Sequence, residues 1–150
     1  MKKLSILLLV FFSFVSVALA QRASVRGAEV TGTFRSYFKG KFKGSYNEVN
    51  ILALGKGKLK VRFDLTFPHL DGTGELTANV GEAEGTAEIS GDTAVFTSPE
   101  LEGCKIILKF VKPGQLKITQ EGDASCGFGY NVRADGTYTK SSTKPKFDEN

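Results

Sequence analysis

Between residues 58 and 67 the chain alternates without a fault: Leu59, Val61, Phe63, Leu65 and Phe67 are separated by Lys58-type polar residues, namely Lys60, Arg62, Asp64 and Thr66. A period of two sends the two sets to opposite faces of an extended strand, one face apolar and the other charged. No segment after Val30 repeats apolar residues at helical spacing. The chain must therefore build its core from sheet alone.

The other segments follow the same rule. A first strand is expected from Val30 onward, with Gly32, Phe34, Phe38 and Phe42 sharing its apolar face and Gly40 bending it. A second runs over about 47–54, and Gly55-Lys56-Gly57 turns it into the 58–67 strand. After the Asp71-Gly72 turn, one strand points Leu76, Ala78 and Val80 inward, and a separate one points Ala83, Gly85, Ala87 and Ile89 inward. Gly91-Asp92 is a hairpin dipeptide leading to a short strand near 94–97. Lys112-Pro113-Gly114-Gln115 places Pro and Gly as a type II turn requires, joining 104–111 to 115–120. The last strand spans about 126–139.

Eight or nine strands in meander order must hide their edges, and closure is the complete solution. The expectation is a single antiparallel up-and-down β-barrel over 30–139, with a two-sheet β-sandwich as the rival. Gly32-Thr33-Phe34 and Gly136-Thr137-Tyr138 are expected to face each other across the seam.

Residues 1–20 read as an export signal: Lys2 and Lys3, an apolar run, then Ala18-Leu19-Ala20 as the cleavage site. The run is shorter than the ~20 residues of a bilayer span, so no membrane span is expected after cleavage. What remains is a 21–29 extension, the barrel and a polar, disordered tail at 140–150, as a monomer in the periplasm or secreted. The two cysteines, Cys104 and Cys126, each begin an apolar face, and an even count in an exported chain favours a disulfide. Closing that loop stabilises the fold by ~3 kcal/mol in the chain-entropy picture.

His69 is the only histidine, which excludes a multi-His metal site. It is expected in a loop without a function, with Asp71 as its one nearby acid. No acid, base and nucleophile converge in the sequence, so no enzyme, cofactor or metal is expected. Nucleic acid is not an expected partner either: alternation sends Phe38 and Phe42 away from Lys39, Lys41 and Lys43, whereas stacking platforms need both on one surface.

Charge is divided by region. Residues 21–70 carry ten Lys/Arg against three acids, and 71–104 carry eight acids with no Lys or Arg. In a meander this division becomes a basic arc opposite an acidic one, a field able to steer a charged partner. Glu82, Glu84 and Glu88 form one row on the acidic arc and are its candidate partner-binding residues. Inside, Phe34, Phe63, Phe67, Phe110, Phe128 and Tyr130 face Gly32, Ala78, Ala83, Gly85 and Ala87. Large residues against small ones fit either a filled core or a pocket for one small apolar molecule.

The Gly32-Thr33-Phe34 opening resembles the calycin superfamily of lipocalin-like barrels, with Phe34 in place of the usual Trp. The stretch Gly103-Cys104, Leu116 to Gly122, Cys126-Gly127-Phe128-Gly129-Tyr130-Asn131-Val132 and Asp135-Gly136-Thr137-Tyr138 is similar to small exported bacterial proteins, some associated with periplasmic lysozyme inhibition. This resemblance implies a barrel fold and an exported compartment. Joined to the acidic region from Asp71 to Glu102, it leads to the expectation of a non-enzymatic binding protein, an inhibitor of a cationic hydrolase such as lysozyme. The large-against-small interior gives the alternative, a carrier of a small apolar ligand.

Overall fold

The computed structural model describes residues 25–97, 104–122 and 126–147. The expected export signal lies outside them. Eight strands close a barrel in chain order: β1 (Gly32–Tyr37), β2 (Tyr46–Gly55), β3 (Lys58–Leu70), β4 (Leu76–Ser90), β5 (Thr93–Thr97), β6 (Lys105–Lys112), β7 (Gln115–Glu121) and β8 (Gly136–Ser142). Every neighbouring pair is antiparallel, and β8 returns to β1, so the sheet does not divide into a sandwich.

Alternation sets the core. The registers Phe34↔Val49, Val49↔Phe63 and Phe63↔Ala83 bring inward residues abreast around the wall. The Phe63 ring meets Phe96 at 5.0 Å and Phe128 at 5.8 Å, and Phe34 meets Phe110 at 6.3 Å. All five are buried. Each full burial of a phenylalanine is worth about 1.5–3 kcal/mol relative to exposure. Four of the six residues expected to line a ligand cavity thus pack against other rings inside the barrel, while Phe67, near the end of β3, is half-buried.

Each end of the barrel is closed differently. At one, the short helix α1 (Gly27–Val30) buries Val30. The Lys140 ammonium donates to the carbonyls of Glu29 (2.7 Å) and Thr31 (2.8 Å) and stands 5.2 Å from the Phe34 ring. Burial holds the pKa of Lys140 below the usual lysine range. At the other end, the segment that precedes β8 buries its own Cys126, Phe128, Val132 and Ala134. The Cys104–Cys126 disulfide ties this segment to the start of β6, with the Cα atoms 5.5 Å apart.

Several expectations are corrected. Residues 126–135 are not strand: Cys126, Gly127, Gly129 and Asn131 all adopt positive φ, which curls the chain and breaks the period of two. Tyr130 therefore points outward, 79% exposed, and not into the barrel. The first strand stops at Tyr37, and residues Gly40–Phe42 form a 3₁₀ turn. The expected separation of lysines from phenylalanines fails there, because the Lys41 ammonium sits 5.0 Å from the Phe42 ring. Across the seam β1 and β8 do pair, but as Thr33↔Ser142 and Phe34↔Lys140, so Gly136 to Tyr138 are not opposite Gly32 to Phe34. At Gly32 a Cβ would collide with the Ser142 carbonyl, which is why glycine stands at this crossing.

The two strands expected on either side of residue 81 are one, β4. Inward-pointing Leu76, Ala78 and Val80 require a parity switch before Ala83, and a continuous strand cannot switch. Gly81 passes straight through, and the space of its missing Cβ is filled by the Phe128 backbone. Nor is the tail frayed over its described length. β8 runs to Ser142, and the chain beyond it lies along the outer wall.

Candidate functional site

The continuous β4 produces the feature the sequence hid. β2 pairs with β3 only as far as Glu48↔Asp64, whereas β3 and β4 stay paired to Leu70↔Leu76. Beyond Asp64, β3 has β4 as its sole strand partner among the described residues, and the hairpin becomes an arm. Its outer face carries Thr66↔Val80, Pro68↔Ala78 and Leu70↔Leu76 side by side. Leu70, Leu76 and Val80 are 44%, 60% and 70% exposed. Pro68 has no N–H to offer along the open side, which blunts that edge against further pairing.

The arm is preorganised at its tip and its base. The Asp71 carboxylate accepts from the Thr73 hydroxyl (2.7 Å), the Thr73 N–H (2.8 Å) and the Glu75 N–H (2.9 Å). These bonds, led by the Thr73 hydroxyl, hold its carboxyl below the usual range. At the base the Asn79 amide donates to the Tyr130 carbonyl at 2.9 Å, fixing the disulfide-tied segment against β4.

Where the arm leaves the barrel, Tyr46, Glu48, Asp64, Val80, Glu82 and Lys146 line an open cleft of about 260 Å³. Alternation places its carboxylates: Glu48 on β2, Asp64 on β3 and Glu82 on β4 all point outward in adjacent register. Glu48 accepts from Arg35 Nε at 2.7 Å and lies 3.5 Å from the Lys146 ammonium. Burial pushes the Glu48 carboxyl up, but hydrogen bonds from Arg35 and Asn50 and the charge of Lys146 outweigh it, so its pKa lies below the usual value. Arg35 also stacks on Tyr46, 4.3 Å from the ring centre, and Tyr37 packs beside that ring at 5.5 Å. Arg62 lies between Asp64 (3.0 Å) and Glu82 (3.6 Å).

The last described residues cross this wall. The Thr33 hydroxyl is 2.9 Å from the Lys144 carbonyl, and the Lys146 N–H donates to Asn50 Oδ1 at 2.9 Å. Phe147 lies under the Lys60 ammonium at 4.5 Å. Thr33 and Asn50 are each 1% exposed although both face outward.

The three glutamates expected to form one partner face are divided. Glu82 belongs to the cleft. Glu84 pairs with Lys60 at 2.8 Å, and Glu88 lies opposite Lys58 in register. The acidic strand thus lies against the basic one, not across the barrel from it, because β3 and β4 are hairpin partners. Ion pairs this exposed contribute about 0–1 kcal/mol each. His69 lies in β3, not in a loop. Its ring stacks on Phe67 at 6.0 Å, and Asp71 is engaged with Thr73 and Glu75 instead. No group of three or more His, Cys, Asp or Glu able to hold a metal occurs among the described residues. No helix among them is long and apolar enough to cross a membrane.

No protein-family model, curated protein or solved structure matches this chain.

The arm's outward apolar positions, Pro68, Leu70, Leu76, Ala78 and Val80, are not among those expected from the sequence to face out. Their signal was present: two runs of opposite parity separated only by Gly81 demand either a break or an outward apolar face.

Proposed function

We propose that this chain is an exported, non-enzymatic binding protein that docks a cationic protein on the outer face of β2–β4, with inhibition of a hydrolase such as lysozyme as the concrete form. The observation that carries the reading is the exposed Leu70, Leu76 and Val80 ladder running into a cleft edged by Glu48, Asp64 and Glu82. An exposed apolar strip offers burial to a partner, and the adjoining carboxylates, which already hold Arg35, Arg62 and Lys146, are suited to holding guanidinium and ammonium groups. The disulfide is compatible with an oxidising compartment. The interior, where a carrier would hold its ligand, is occupied by Phe34, Phe63, Phe110 and Phe128.

A turbidity assay of cell lysis by hen-type lysozyme tests the reading. The native chain is expected to slow lysis, and the double variant Leu76→Ser with Val80→Ser to lose at least tenfold of that effect. Unchanged lysis at a large molar excess of native chain would overturn the lysozyme form of the proposal.

A further inference from the structure

The strap formed by residues 143–147 covers polar residues, and this separates it from an ordinary seal. A segment that closes a gap in a barrel buries apolar side chains that water would otherwise reach. Here the covered residues are Thr33, Glu48 and Asn50, which lie on the outward side of β1 and β2 and would be equally satisfied by water. At Thr33, Glu48 and Asn50, release of the strap exchanges protein partners for water.

The contacts themselves are those of peptide recognition. The wall reads backbone through the Thr33 hydroxyl at the Lys144 carbonyl and through Asn50 Oδ1 at the Lys146 N–H. It reads side chains through Glu48 at the Lys146 ammonium and through Lys60 over the Phe147 ring. Pro145 between the two lysines favours the extended backbone that such a groove accepts. The Lys146 side chain is itself 65% exposed, so its seat is open to exchange.

We infer that the outer wall of β1–β3 is a binding groove for an extended segment with a cationic residue followed by an aromatic one, and that the chain's own residues 143–147 occupy it as an internal competitor. The inference rests on the proposed docking face for its location, and not on the identity of the partner. A tethered occupant acts at a high effective concentration, so a partner segment must outcompete it or meet a chain whose tail is displaced.

The test uses a fluorescently labelled peptide of residues 143–147, Thr-Lys-Pro-Lys-Phe, followed by anisotropy. A chain ending at Ser142, shown folded by circular dichroism and its melting transition, is expected to bind the peptide at least tenfold more tightly than the full chain. Adding Glu48→Gln or Asn50→Ala to the shortened chain is expected to remove most of that binding. If the shortened chain does not fold, full-length Lys146→Glu takes its place, since the reversed charge is repelled by Glu48. Tighter peptide binding than by the native chain supports the inference. A folded shortened chain, or the Lys146→Glu chain, that binds no better than the native one overturns it, as does binding indifferent to Glu48 and Asn50. Because the readout is peptide capture alone, its failure is distinct from failure of the lysis assay.

Discussion

One hairpin, β3–β4, serves two environments along its length. In the barrel half, Leu59, Val61, Phe63 and Leu65 point into a packed interior, and the outward positions carry charges paired across the strands, as in Lys60 with Glu84. In the arm the same ladder of backbone hydrogen bonds continues, but its outward positions are Pro68, Leu70, Leu76, Ala78 and Val80. The alternation is intact in both halves; only its polarity is reversed. Stability comes from the half whose apolar face is covered; in the arm Pro68 is buried, but Leu70, Leu76, Ala78 and Val80 stand exposed and are left free to meet something else.

The largest effect is expected from Phe63→Ala, which removes a ring in contact with Phe96 and Phe128. It is expected to cost about 3–5 kcal/mol in urea unfolding. A loss under 1 kcal/mol would mean that the interior is not close-packed. Replacing both Cys104 and Cys126 by alanine comes next, with an expected loss of ~3 kcal/mol from the freed loop. Because that loop holds the base of the arm through Asn79 and Tyr130, amide exchange at Asn79 to Gly81 is expected to accelerate as well. The smallest effect belongs to the arm: Leu76→Ser with Val80→Ser is expected to change stability by no more than about 0.5 kcal/mol per site. A large loss on unfolding would assign the arm to the core and remove the contrast.

Much of the barrel was legible because alternation is a local property. The run from Leu59 to Phe67 and the Gly55 to Gly57 and Lys112 to Gln115 turns follow from residues near one another in the sequence, and the pairing of Cys104 with Cys126 follows from there being only two cysteines. The segment 126–135 was misread because its apolar residues, Phe128, Tyr130 and Val132, keep an even spacing while the backbone turns through left-handed conformations at Cys126, Gly127, Gly129 and Asn131. Spacing reports faces only where the backbone is extended. Glu82, Glu84 and Glu88 were correctly placed outward, yet their partners depended on register: the salt bridges to Arg62 and Lys60 need β3 beside β4 at one alignment.

The amino-acid order by itself determined that this chain is an antiparallel sheet with an apolar face, since two-residue periodicity acts at short range; that the sheet closes through β8 on β1 instead of dividing into a sandwich was decided by the fold. Tertiary structure alone decided that Gly81 carries β4 onward without a break, that Tyr130 faces solvent, and that residues 143–147 lie over Thr33 and Asn50. Each of those outcomes depends on which distant backbone occupies a given space. The Phe128 carbonyl beside Gly81 is the clearest case, forty-seven positions away in the chain and within contact distance in the fold.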